Sequence, residues 1–318
     1  MTANFGKVVA LCGGIGGAKL AHGLSKVLAA SDLTVIVNTG DDFQHLGLWI
    51  SPDIDTVTYT MADRANPETG WGRAQETFRF KDALAELGGP DWFSLGDTDL
   101  ATKAYRTQRM GEKARLTDVT LEIARALGVS SQIMPMTDDP IPTMVETDEG
   151  RMTFQTYFVR HKWKPKVISI DLAAARTASV TAEAHKALSD PDLAAIIICP
   201  SNPLLSIDPM LSIPGVRDIL AQSSAYKVAV SPLVDGLAIK GPLSKILGEI
   251  GINSTPQSIA THYDGLIDCF VFDERDRAQP VTGVDIALCQ TIMSNVADRV
   301  ALARDLIALA TSRRAARP

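Results

Sequence analysis

The chain has 318 residues, 46% of them hydrophobic, so it can bury a large core without disulfides or a metal ion to hold the fold together. A formal net charge of −6 leaves no basic surplus to neutralise a nucleic-acid backbone, and no run of about 18 apolar residues predicts a membrane-spanning helix. The four cysteines are far apart and lack a CxxC spacing, which favours a reduced, cytoplasmic protein over a zinc or redox site.

The first predicted element is a strand that ends in a cluster of glycines. Residues 8–11 are apolar, residues 12–17 read CGGIGG, and residues 18–28 carry a helical pattern. Glycines between a strand and a helix let backbone N–H groups approach an anion, and Lys19 adds a positive charge. The segment therefore predicts a phosphate-binding turn, with a tight turn that binds nothing as the alternative. It is not a Walker A motif, because no Lys-Ser or Lys-Thr follows the last glycine.

Polar residues follow several later predicted strands in the same way. The run at residues 33–37 is followed by NTGDD, and the run at residues 194–199 is followed by PSNP. Strands that alternate with helices favour a parallel sheet, whose ligands bind at the carboxyl ends of its strands. We predict an α/β fold with a Rossmann-like, mostly parallel sheet flanked by helices. Asn38 stands where a nicotinamide-binding protein carries an acidic ribose contact, so hydride transfer is disfavoured.

The rest of the pattern predicts a single α/β domain at residues 1–310. Residues 71–126 are rich in helix formers and predict a helix-rich insertion or mixed subdomain. Residues 152–170 are strand-like, because aromatic and β-branched residues are frequent there. Residues 311–318 predict a basic tail.

Four carboxylates crowd into a short segment after the second predicted strand. They are Asp41, Asp42, Asp53 and Asp55. Mg²⁺ commonly bridges one or two carboxylates to the phosphates of a substrate, so the cluster predicts a magnesium site that neutralises a diphosphate. Each aspartate taken singly is equally compatible with a helix cap or an Asx turn.

Two further turns carry groups suited to organic ligands. Residues 92–102, WFSLGDTDLAT, combine aromatic rings with carboxylates and hydroxyls, as a site for a planar heterocycle with a polyol chain requires. Trp92 and Phe93 are equally compatible with packing in the core. Residues 200–207 offer hydroxyl and amide groups suited to a nucleotide base or sugar. No histidine lies beside a Gly-x-Ser-x-Gly elbow, so nucleophilic Ser-His-Asp chemistry has no support.

Taken together, these segments resemble the 2-phospho-L-lactate transferase family of coenzyme F-420 biosynthesis. The resemblance covers residues 8 to about 277 and rests on many motifs in one order. The motifs are CGGIGGAKL (12–20), VNTGDD (37–42), GLWISPDIDT (47–56), GWG (70–72), WFSLGD (92–97), DLAT (99–102), PMTDDP (135–140), PSNP (200–203), SP (231–232) and FDERD (272–276).

The resemblance implies a Rossmann-like fold, a Mg²⁺ requirement and a homodimer. It also implies a reaction in which a phospho-carboxylate, of the phospholactate or phosphoenolpyruvate type, leaves a guanosine diphosphate-linked donor. The acceptor is the terminal ribityl hydroxyl of the deazaflavin Fo, and GMP is released without a covalent enzyme intermediate. Phosphoryl transfer of this kind depends mainly on alignment and on charge neutralisation.

The same resemblance assigns roles to individual residues. Asp55 and Asp53 are the predicted catalytic residues, and Asp41, Asp42 and Asp55 are the predicted metal ligands. The residues predicted to bind the donor phosphates are Gly13, Gly14, Gly16, Gly17 and Lys19. Those predicted to bind Fo are Asp97, Thr98 and Thr102. Those predicted to bind guanosine are Ser201, Asn202 and Ser206.

Two positions depart from the family pattern near the predicted acceptor site. Thr98 stands where the family usually has Arg, and Lys103 stands where it usually has His. The charge around the acceptor is therefore rearranged, with Lys103 or Arg106 as the candidates to compensate for the missing arginine.

Two other classes of protein compete with the transferase. One is a regulatory protein of the related YvcK-like fold that binds a nucleotide sugar or dinucleotide without catalysis. The SPDID motif at residues 51–55 and the segment that starts at Trp92 argue against it. The other is a nicotinamide dehydrogenase, which Asn38 disfavours. The sequence leaves open which three-carbon acid is transferred, because the candidate acids differ by groups that one or two side chains distinguish.

Overall fold

Seven parallel strands form the central sheet of the computed structural model, which describes residues 5–239 and 241–315. The order of the strands is β14-β13-β10-β9-β1-β2-β5. Their bounds are β1 (Lys7–Cys12), β2 (Leu33–Val37), β5 (Gln132–Pro135), β9 (Leu193–Ile198), β10 (Tyr226–Val230), β13 (Cys269–Asp273) and β14 (Asp285–Cys289). Every pair of neighbours is parallel, which confirms the predicted α/β sheet.

Smaller antiparallel pieces surround this sheet. Strands β7, β6 and β8 form a three-stranded sheet, and two hairpins join β3 to β4 and β11 to β12. Their bounds are β3 (Phe43–His45), β4 (Leu48–Ile50), β6 (Met144–Thr147), β7 (Gly150–Thr153), β8 (Val167–Asp171), β11 (Leu233–Val234) and β12 (Leu237–Ala238).

Helices alternate with the strands along the chain. The α-helices of the described residues are α1 (Gly14–Val27), α2 (Pro52–Met61), α3 (Arg79–Glu86), α4 (Asp97–Gly111), α5 (Leu116–Ala126), α6 (Ala182–Leu188), α7 (Asp208–Leu211), α8 (Val216–Gln222), α9 (Leu243–Glu249), α10 (Pro256–His262) and α11 (Val296–Ala315). Short 3-10 turns lie at Ala30–Asp32, Ala175–Thr177 and Glu274–Asp276, and π-helical turns lie at Thr156–Arg160 and Pro203–Ile207. None of the helices at residues 5–239 and 241–315 combines the length and apolar character that a membrane crossing requires.

The two faces of the central sheet pack into separate hydrophobic cores. Alternate side chains of a strand point to opposite faces, so Val9 and Leu11 of β1 enter one core and Val8 and Ala10 enter the other. Because both faces are buried, the central strands are mostly apolar, as expected for a parallel sheet covered by helices. The four cysteines are free and buried.

Strand order reverses between β1 and β9. From β1 the chain proceeds outward through β2 to β5, and it then returns to β9 on the other side of β1. The carboxyl ends of β1 and β9 therefore diverge into loops that run in opposite directions, which opens a crevice where ligands bind in folds of this type.

Helix α1 contacts both α2 and α11 on one face of the sheet, around the fully buried side chain of His22. The Arg299 guanidinium of α11 lies 3.3 Å from His22 Nδ1, and Asp63 Oδ1 lies 2.9 Å from His22 Nε2. Burial lowers the pKa of His22 below its usual value, and the carboxylate of Asp63 opposes this only in part.

The structure differs from the prediction at two elements, the strand-like segment at residues 152–170 and the tail at residues 311–318. The strand-like segment at residues 152–170 contains β7 and β8 only at its ends, and Thr156–Arg160 is a π-helical turn. Phe154 and Phe158, four residues apart, stack with ring centroids at 5.3 Å, so aromatic packing outweighs β-propensity there. Helix α11 continues to Ala315, so residues 311–315 of the predicted tail are helical, while residues 316–318 lie outside the described residues.

The predicted insertion at residues 71–126 contains α3, α4 and α5. Helix α4 contacts both β4 and α5. Helix α5 packs against β5 of the central sheet, and α4 reaches the first turn of α2, where its Lys103 and Arg106 contact Asp55.

Candidate active site

A cavity of about 680 Å³ opens at the carboxyl edge of the sheet, where the strand order reverses. Its volume lies within the range of about 300–1,000 Å³ that is usual for ligand sites. The predicted site residues that line it are Gly13, Gly14, Gly16, Lys19, Asp41, Asp53, Asp55, Ser201, Asn202 and Ser206. The predicted site residues that do not line it are Gly17, Asp42, Asp97, Thr98 and Thr102.

The glycine turn between β1 and α1 is crowded by its neighbours. A Cβ atom at Gly13 would collide with the carboxylate of Asp53, and one at Gly16 would collide with the backbone carbonyl of Pro200. Gly17 lies under the turn, where a Cβ atom would stand 2.5 Å from Ser201 Oγ and 2.7 Å from Cys12 Cβ. Glycine is needed here for close approach of chain segments, and its absence of a side chain also leaves the helix N-terminus open to the cavity.

Asp53 connects three parts of the chain at the floor of the cavity. Its Oδ1 atom accepts a hydrogen bond of 2.6 Å from the Gly14 N–H, and its Oδ2 atom accepts one of 2.9 Å from Asn38 Nδ2. Burial raises the pKa of Asp53 to about 6, although bonds from Asn38, Gly14 and Ser206 favour the charged form. One of the first N–H groups of α1 is therefore already occupied by a side chain of the protein itself.

Asp41 is the second buried carboxylate that faces the cavity. Gln155 Nε2 donates a hydrogen bond of 3.1 Å to its Oδ2 atom, whereas its Oδ1 atom is buried and has no hydrogen-bond partner among the described residues. Burial, followed by the negative charges of Asp53 and Asp42, raises the pKa of Asp41 well above its usual value. An unsatisfied oxygen beside a second carboxylate is the environment in which a cation is bound favourably.

Asp42 faces away from the cavity. Its Oδ2 atom accepts hydrogen bonds from Ser51 Oγ at 2.6 Å and from Trp49 Nε1 at 3.2 Å. Burial raises its pKa to about 8, against the effect of these bonds and of the nearby Arg106. Asp42 therefore connects the loop after β2 to the start of α2.

Asp55 is enclosed by two cationic side chains from α4. Lys103 Nζ lies 2.8 Å from Asp55 Oδ2, and Arg106 contacts both carboxylate oxygens. Burial alone would raise the pKa of Asp55, but the charges of Arg106 and Lys103 outweigh burial and lower it. Both oxygens of Asp55 are paired with cationic side chains, so its negative charge is already neutralised and the predicted metal set of Asp41, Asp42 and Asp55 does not come together. No group of three or more acidic, histidine or cysteine side chains in residues 5–239 and 241–315 is arranged to hold a metal ion. The pair that faces the cavity with raised pKa values is Asp41 and Asp53.

Helices α2 and α4 meet in a buried network of charged and polar groups. Asp55 and Tyr59 lie one turn apart on α2, and Asp99, Lys103 and Arg106 lie on one face of α4. The Tyr59 hydroxyl donates a hydrogen bond of 2.7 Å to Asp99 Oδ1, which Lys103 also contacts. Because two carboxylates face two cations, the charges of the network balance.

One end of the cavity is lined by aromatic rings. Trp92 and Phe93 line the wall and pack behind it against Phe43 and His45, with ring centroids 4.9–6.1 Å apart. Trp71, which is 50% exposed, stands at the opening. The sequence is compatible with two roles for Trp92 and Phe93, packing in the core or lining a ligand site. In the structure each ring belongs to a packed cluster and also faces the cavity.

The three side chains predicted to bind Fo lie elsewhere. Asp97 caps α3, because its carboxylate accepts bonds from the N–H groups of Phe80 at 3.1 Å and Arg79 at 3.3 Å. The Thr98 N–H donates a hydrogen bond of 2.9 Å to Glu76, and Thr102 is buried outside the cavity wall. The direction of a side chain on α4 depends on the position of its residue around the helix axis. A sequence motif does not show which positions face the cavity.

The residues predicted to hold guanosine line the cavity but also hold the loop in place. Ser201 Oγ accepts a hydrogen bond from the Gly13 N–H at 3.1 Å and donates one to the Gly13 carbonyl at 2.8 Å. Asn202 Oδ1 caps the π-helical turn Pro203–Ile207 by accepting bonds from two N–H groups, and Ser206 of that turn bonds Asp53. π-helical turns are frequent at functional sites, and Thr156–Arg160 also borders the cavity.

Several cavity residues have no assigned binding role in the site predicted from the sequence. Lys103 is named there only as a candidate to compensate for the missing arginine, and Asp99 appears only within the DLAT motif. Both line the wall, and the Asp-x-x-x-Lys spacing places them on one helical face. Residues 291–294, after β14, line the opposite side, where Lys19 Nζ donates a hydrogen bond of 2.7 Å to the Met293 carbonyl. Nothing in the local sequence marks residues 291–294, because sheet order alone brings β14 to this edge.

Comparison with known proteins agrees with the motifs. The family described as 2-phospho-L-lactate transferase CofD matches residues 8–298. The chain is 37% identical to the 2-phospho-L-lactate transferase of Methanosarcina mazei over 271 residues, which are 85% of this chain and 88% of the relative. It is 36% identical to the phosphoenolpyruvate transferase of Streptomyces griseus over an aligned length of 319 residues, gaps included, which covers 97% of this chain and 100% of the relative.

A solved structure supports the architecture. A UPF0052 family member from Bacillus halodurans superposes with a TM-score of 0.59 at 17% identity and covers 95% of this chain and 98% of that one. At this identity the likeness concerns the fold alone. The match over residues 8–298 and the identity of more than a third to named transferases establish that the chain belongs to the 2-phospho-L-lactate transferase family.

Proposed function

We propose that this transferase moves a phospho-carboxylate, of the phospholactate or phosphoenolpyruvate type, from a guanosine diphosphate-linked donor to the deazaflavin Fo in coenzyme F-420 biosynthesis. GMP is the leaving group. The terminal ribityl oxygen of Fo forms a bond to the phosphorus of the phospho-acid, and the bond from that phosphorus to the oxygen that stays with GMP breaks. The product is a phosphodiester.

The observation that carries the proposal is that a single cavity joins three kinds of surface. The N-terminus of α1 suits phosphate groups, the Asp41 and Asp53 carboxylates suit a cation, and the end with Trp92 and Phe93 suits a planar ring. A reaction between a nucleotide-linked acid and a flavin-like alcohol needs these surfaces side by side, because alignment of the two substrates supplies much of its rate.

Mg²⁺ is part of the proposal, with Asp41 and Asp53 as the residues that would hold it. The donor carries a diphosphate and a carboxylate, and it would otherwise meet the negative charges of two aspartates in a buried site. When bound, Mg²⁺ would neutralise phosphate charge near the reacting phosphorus. The buried, unsatisfied Oδ1 atom of Asp41 supports this assignment.

The chain's own residues would align the substrates and balance their charge. The amides at the start of α1 and Lys19 would contact the donor phosphates, and Asp53 would hold the turn against α2 through its bond to Gly14. Asp55 would act indirectly, because its two oxygens fix Lys103 and Arg106. Both predicted catalytic aspartates line the cavity and would keep a role, Asp53 at the glycine turn and Asp55 through its two cationic partners.

The test is incubation of the purified protein with Fo, Mg²⁺ and, separately, the guanylylated forms of phospholactate, phosphoenolpyruvate and phosphoglycerate. Mass spectrometry of the deazaflavin should show the mass of one phosphodiester product and an equal amount of GMP. Absence of product with every donor, together with saturable binding of a uridine diphosphate sugar, would favour the non-catalytic regulatory protein instead.

We also propose that the protein is a homodimer in the cytoplasm. None of the residues of α3 is buried, yet Phe80, Ala83 and Leu84 share one face with Leu87, which follows the helix. Helix α3 begins with basic and ends with acidic side chains, so antiparallel contact with a second copy would pair opposite charges across a two-fold axis. Light scattering should give twice the chain mass, and Leu87→Glu should give the monomer.

The four free, buried cysteines support a reducing compartment.

A further inference from the structure

Lys103 is a buried cation in the wall of the cavity. Its side chain is only 3% exposed, although lysine is rarely buried without partners. The partners are two carboxylates from different helices, Asp55 of α2 and Asp99 of α4. The ammonium group also lies 5.4 Å from the centroid of the Tyr59 ring, which adds a favourable cation–π contact.

The two carboxylate oxygens of Asp99 differ in their contacts. Its Oδ1 atom accepts the bond from the Tyr59 hydroxyl at 2.7 Å and also contacts Lys103. Its Oδ2 atom accepts no hydrogen bond from the described part of the chain, and the side chain is 10% exposed where it lines the cavity. One oxygen is thus fixed by protein groups, and the other is available to a ligand from the cavity side.

Removal of Lys103 would change both the balance of charge around Asp55 and Asp99 and the orientation of Asp99. The carboxylates of Asp55 and Asp99 would lose the positive charge between them and repel each other in a site of low dielectric constant. Asp99 would keep only the Tyr59 bond, so its orientation would be less well defined. A carboxylate that accepts a hydrogen bond from a ligand hydroxyl contributes most when its orientation is set in advance.

We propose that Lys103 is a positioning residue for the acceptor: it fixes Asp99 so that Oδ2 accepts a hydrogen bond from a hydroxyl of the polyol chain. The proposal rests on the proposed function, which places a polyol-bearing heterocycle at the aromatic end of the cavity. Lys103 touches Asp99 and Asp55 and exerts its effect through Asp99. It therefore determines acceptor affinity and leaves donor affinity unchanged.

The experiment compares Lys103→Met, Lys103→Arg, Asp99→Asn and the double variant Lys103→Met/Asp99→Asn with the wild type. Arg109→Met is the matched control, because Arg109 also lies on α4 and pairs with two acidic residues, Glu112 and Glu122, but does not line the cavity. Fo binding is measured by the fluorescence of the deazaflavin without donor, and KM for each substrate and kcat are measured with donor. Circular dichroism and the unfolding temperature establish that each variant is folded.

We expect Lys103→Met and Asp99→Asn each to weaken Fo binding by about tenfold or more, with KM for the donor within about twofold of the wild type. Because both changes act on one interaction, the double variant should be no weaker than the weaker single variant. Lys103→Arg should recover part of the affinity, and Arg109→Met should match the wild type.

Unchanged Fo affinity in Lys103→Met, or a double variant whose loss equals the product of the single losses, would overturn the inference while the proposed function stands. If Lys103→Met does not fold, Lys103→Arg and Asp99→Asn still decide the question, because unchanged Fo affinity in Asp99→Asn is incompatible with the inference. A wild-type protein that binds no Fo would overturn the proposed function and this inference together.

Discussion

Asn38 Nδ2 donates a hydrogen bond of 2.9 Å to Asp53 Oδ2, which joins the end of β2 to the first turn of α2. This contact explains why an amide stands where dinucleotide-binding folds carry an acidic residue. A carboxylate at position 38 would face the buried carboxylate of Asp53 instead of donating a bond to it.

Asn38→Asp should therefore destabilise the protein in a way that depends on pH. At pH 8 the two carboxylates would repel each other or hold a shared proton at a cost in free energy, and we expect a loss of about 1–3 kcal/mol in the free energy of unfolding. At pH 5 one of them would be protonated and would donate a hydrogen bond to the other, so the loss should be smaller. Urea unfolding at the two pH values measures the difference, and equal losses would contradict the role given to this contact.

Gly16→Ala should damage the turn, because the added Cβ atom would collide with the backbone carbonyl of Pro200, which cannot yield as the end of a flexible side chain could. We expect a loss of about 1–3 kcal/mol in stability together with weaker donor binding. Gly248→Ala is the control: it lies inside α9, and its added Cβ atom would have no heavy atom within 4 Å. That change should leave stability unchanged or raise it by up to about 1 kcal/mol.

Asp55→Asn should reduce turnover and stability together. The substitution leaves Lys103 and Arg106 buried without their shared carboxylate, and an uncompensated buried charge costs about 3–5 kcal/mol. The midpoint of urea unfolding should fall in parallel with kcat. An inactive variant of unchanged stability would mean instead that Asp55 acts directly on a substrate.

Asp41→Asn should separate activity from stability. Burial raises the pKa of Asp41, so the folded protein binds a proton there more tightly than the unfolded chain does, and stability is lost as the pH rises from about 3.8 through the raised pKa. Without divalent cations the variant should unfold at a higher temperature than the wild type at pH 8. Turnover should fall by about 100-fold or more, and added Mg²⁺ should no longer raise the unfolding temperature.

His22 should make the protein sensitive to mild acid. Its folded pKa is lower than its unfolded value of 6.5, so the stability that it contributes is present above about pH 6.5 and is lost as the pH falls. A proton on Nδ1 would also place a positive charge against Arg299. His22→Gln cannot titrate, so its unfolding free energy should decline less than that of the wild type between pH 7 and pH 5. Parallel declines would assign the acid sensitivity to other groups.

The fold could be predicted because its signals are local. The apolar runs of β1, β2, β9 and β10 are short and bounded by turn residues, and a parallel sheet buried on both faces needs such runs. The π-helical turn at Thr156–Arg160 could not be predicted, because the stacking of Phe154 on Phe158 and their packing against the core decide its conformation.

The site was predictable as a region but less so residue by residue. The glycine turn, Asp41 and Asp53 face the cavity because strand ends meet at one edge of the sheet. Asp42 and Asp55 have the same side chain and lie in the same segment, but Asp42 bonds Ser51 outside the cavity wall and Asp55 is paired with Lys103 and Arg106. No spacing within residues 41–55 indicates which cations from a distant helix will approach.

The paired hydrogen bonds between Gly13 and Ser201 join residues 188 positions apart in the chain. The loop closed by this contact spans β2, β5 and β9, so the cavity cannot exist until most of the polypeptide has been synthesised and the middle of the sheet has paired. A ribosome-bound fragment that ends before β9 would contain the glycine turn and yet lack the cavity. Substrate capture should therefore appear abruptly with chain length rather than increase gradually as the polypeptide is extended.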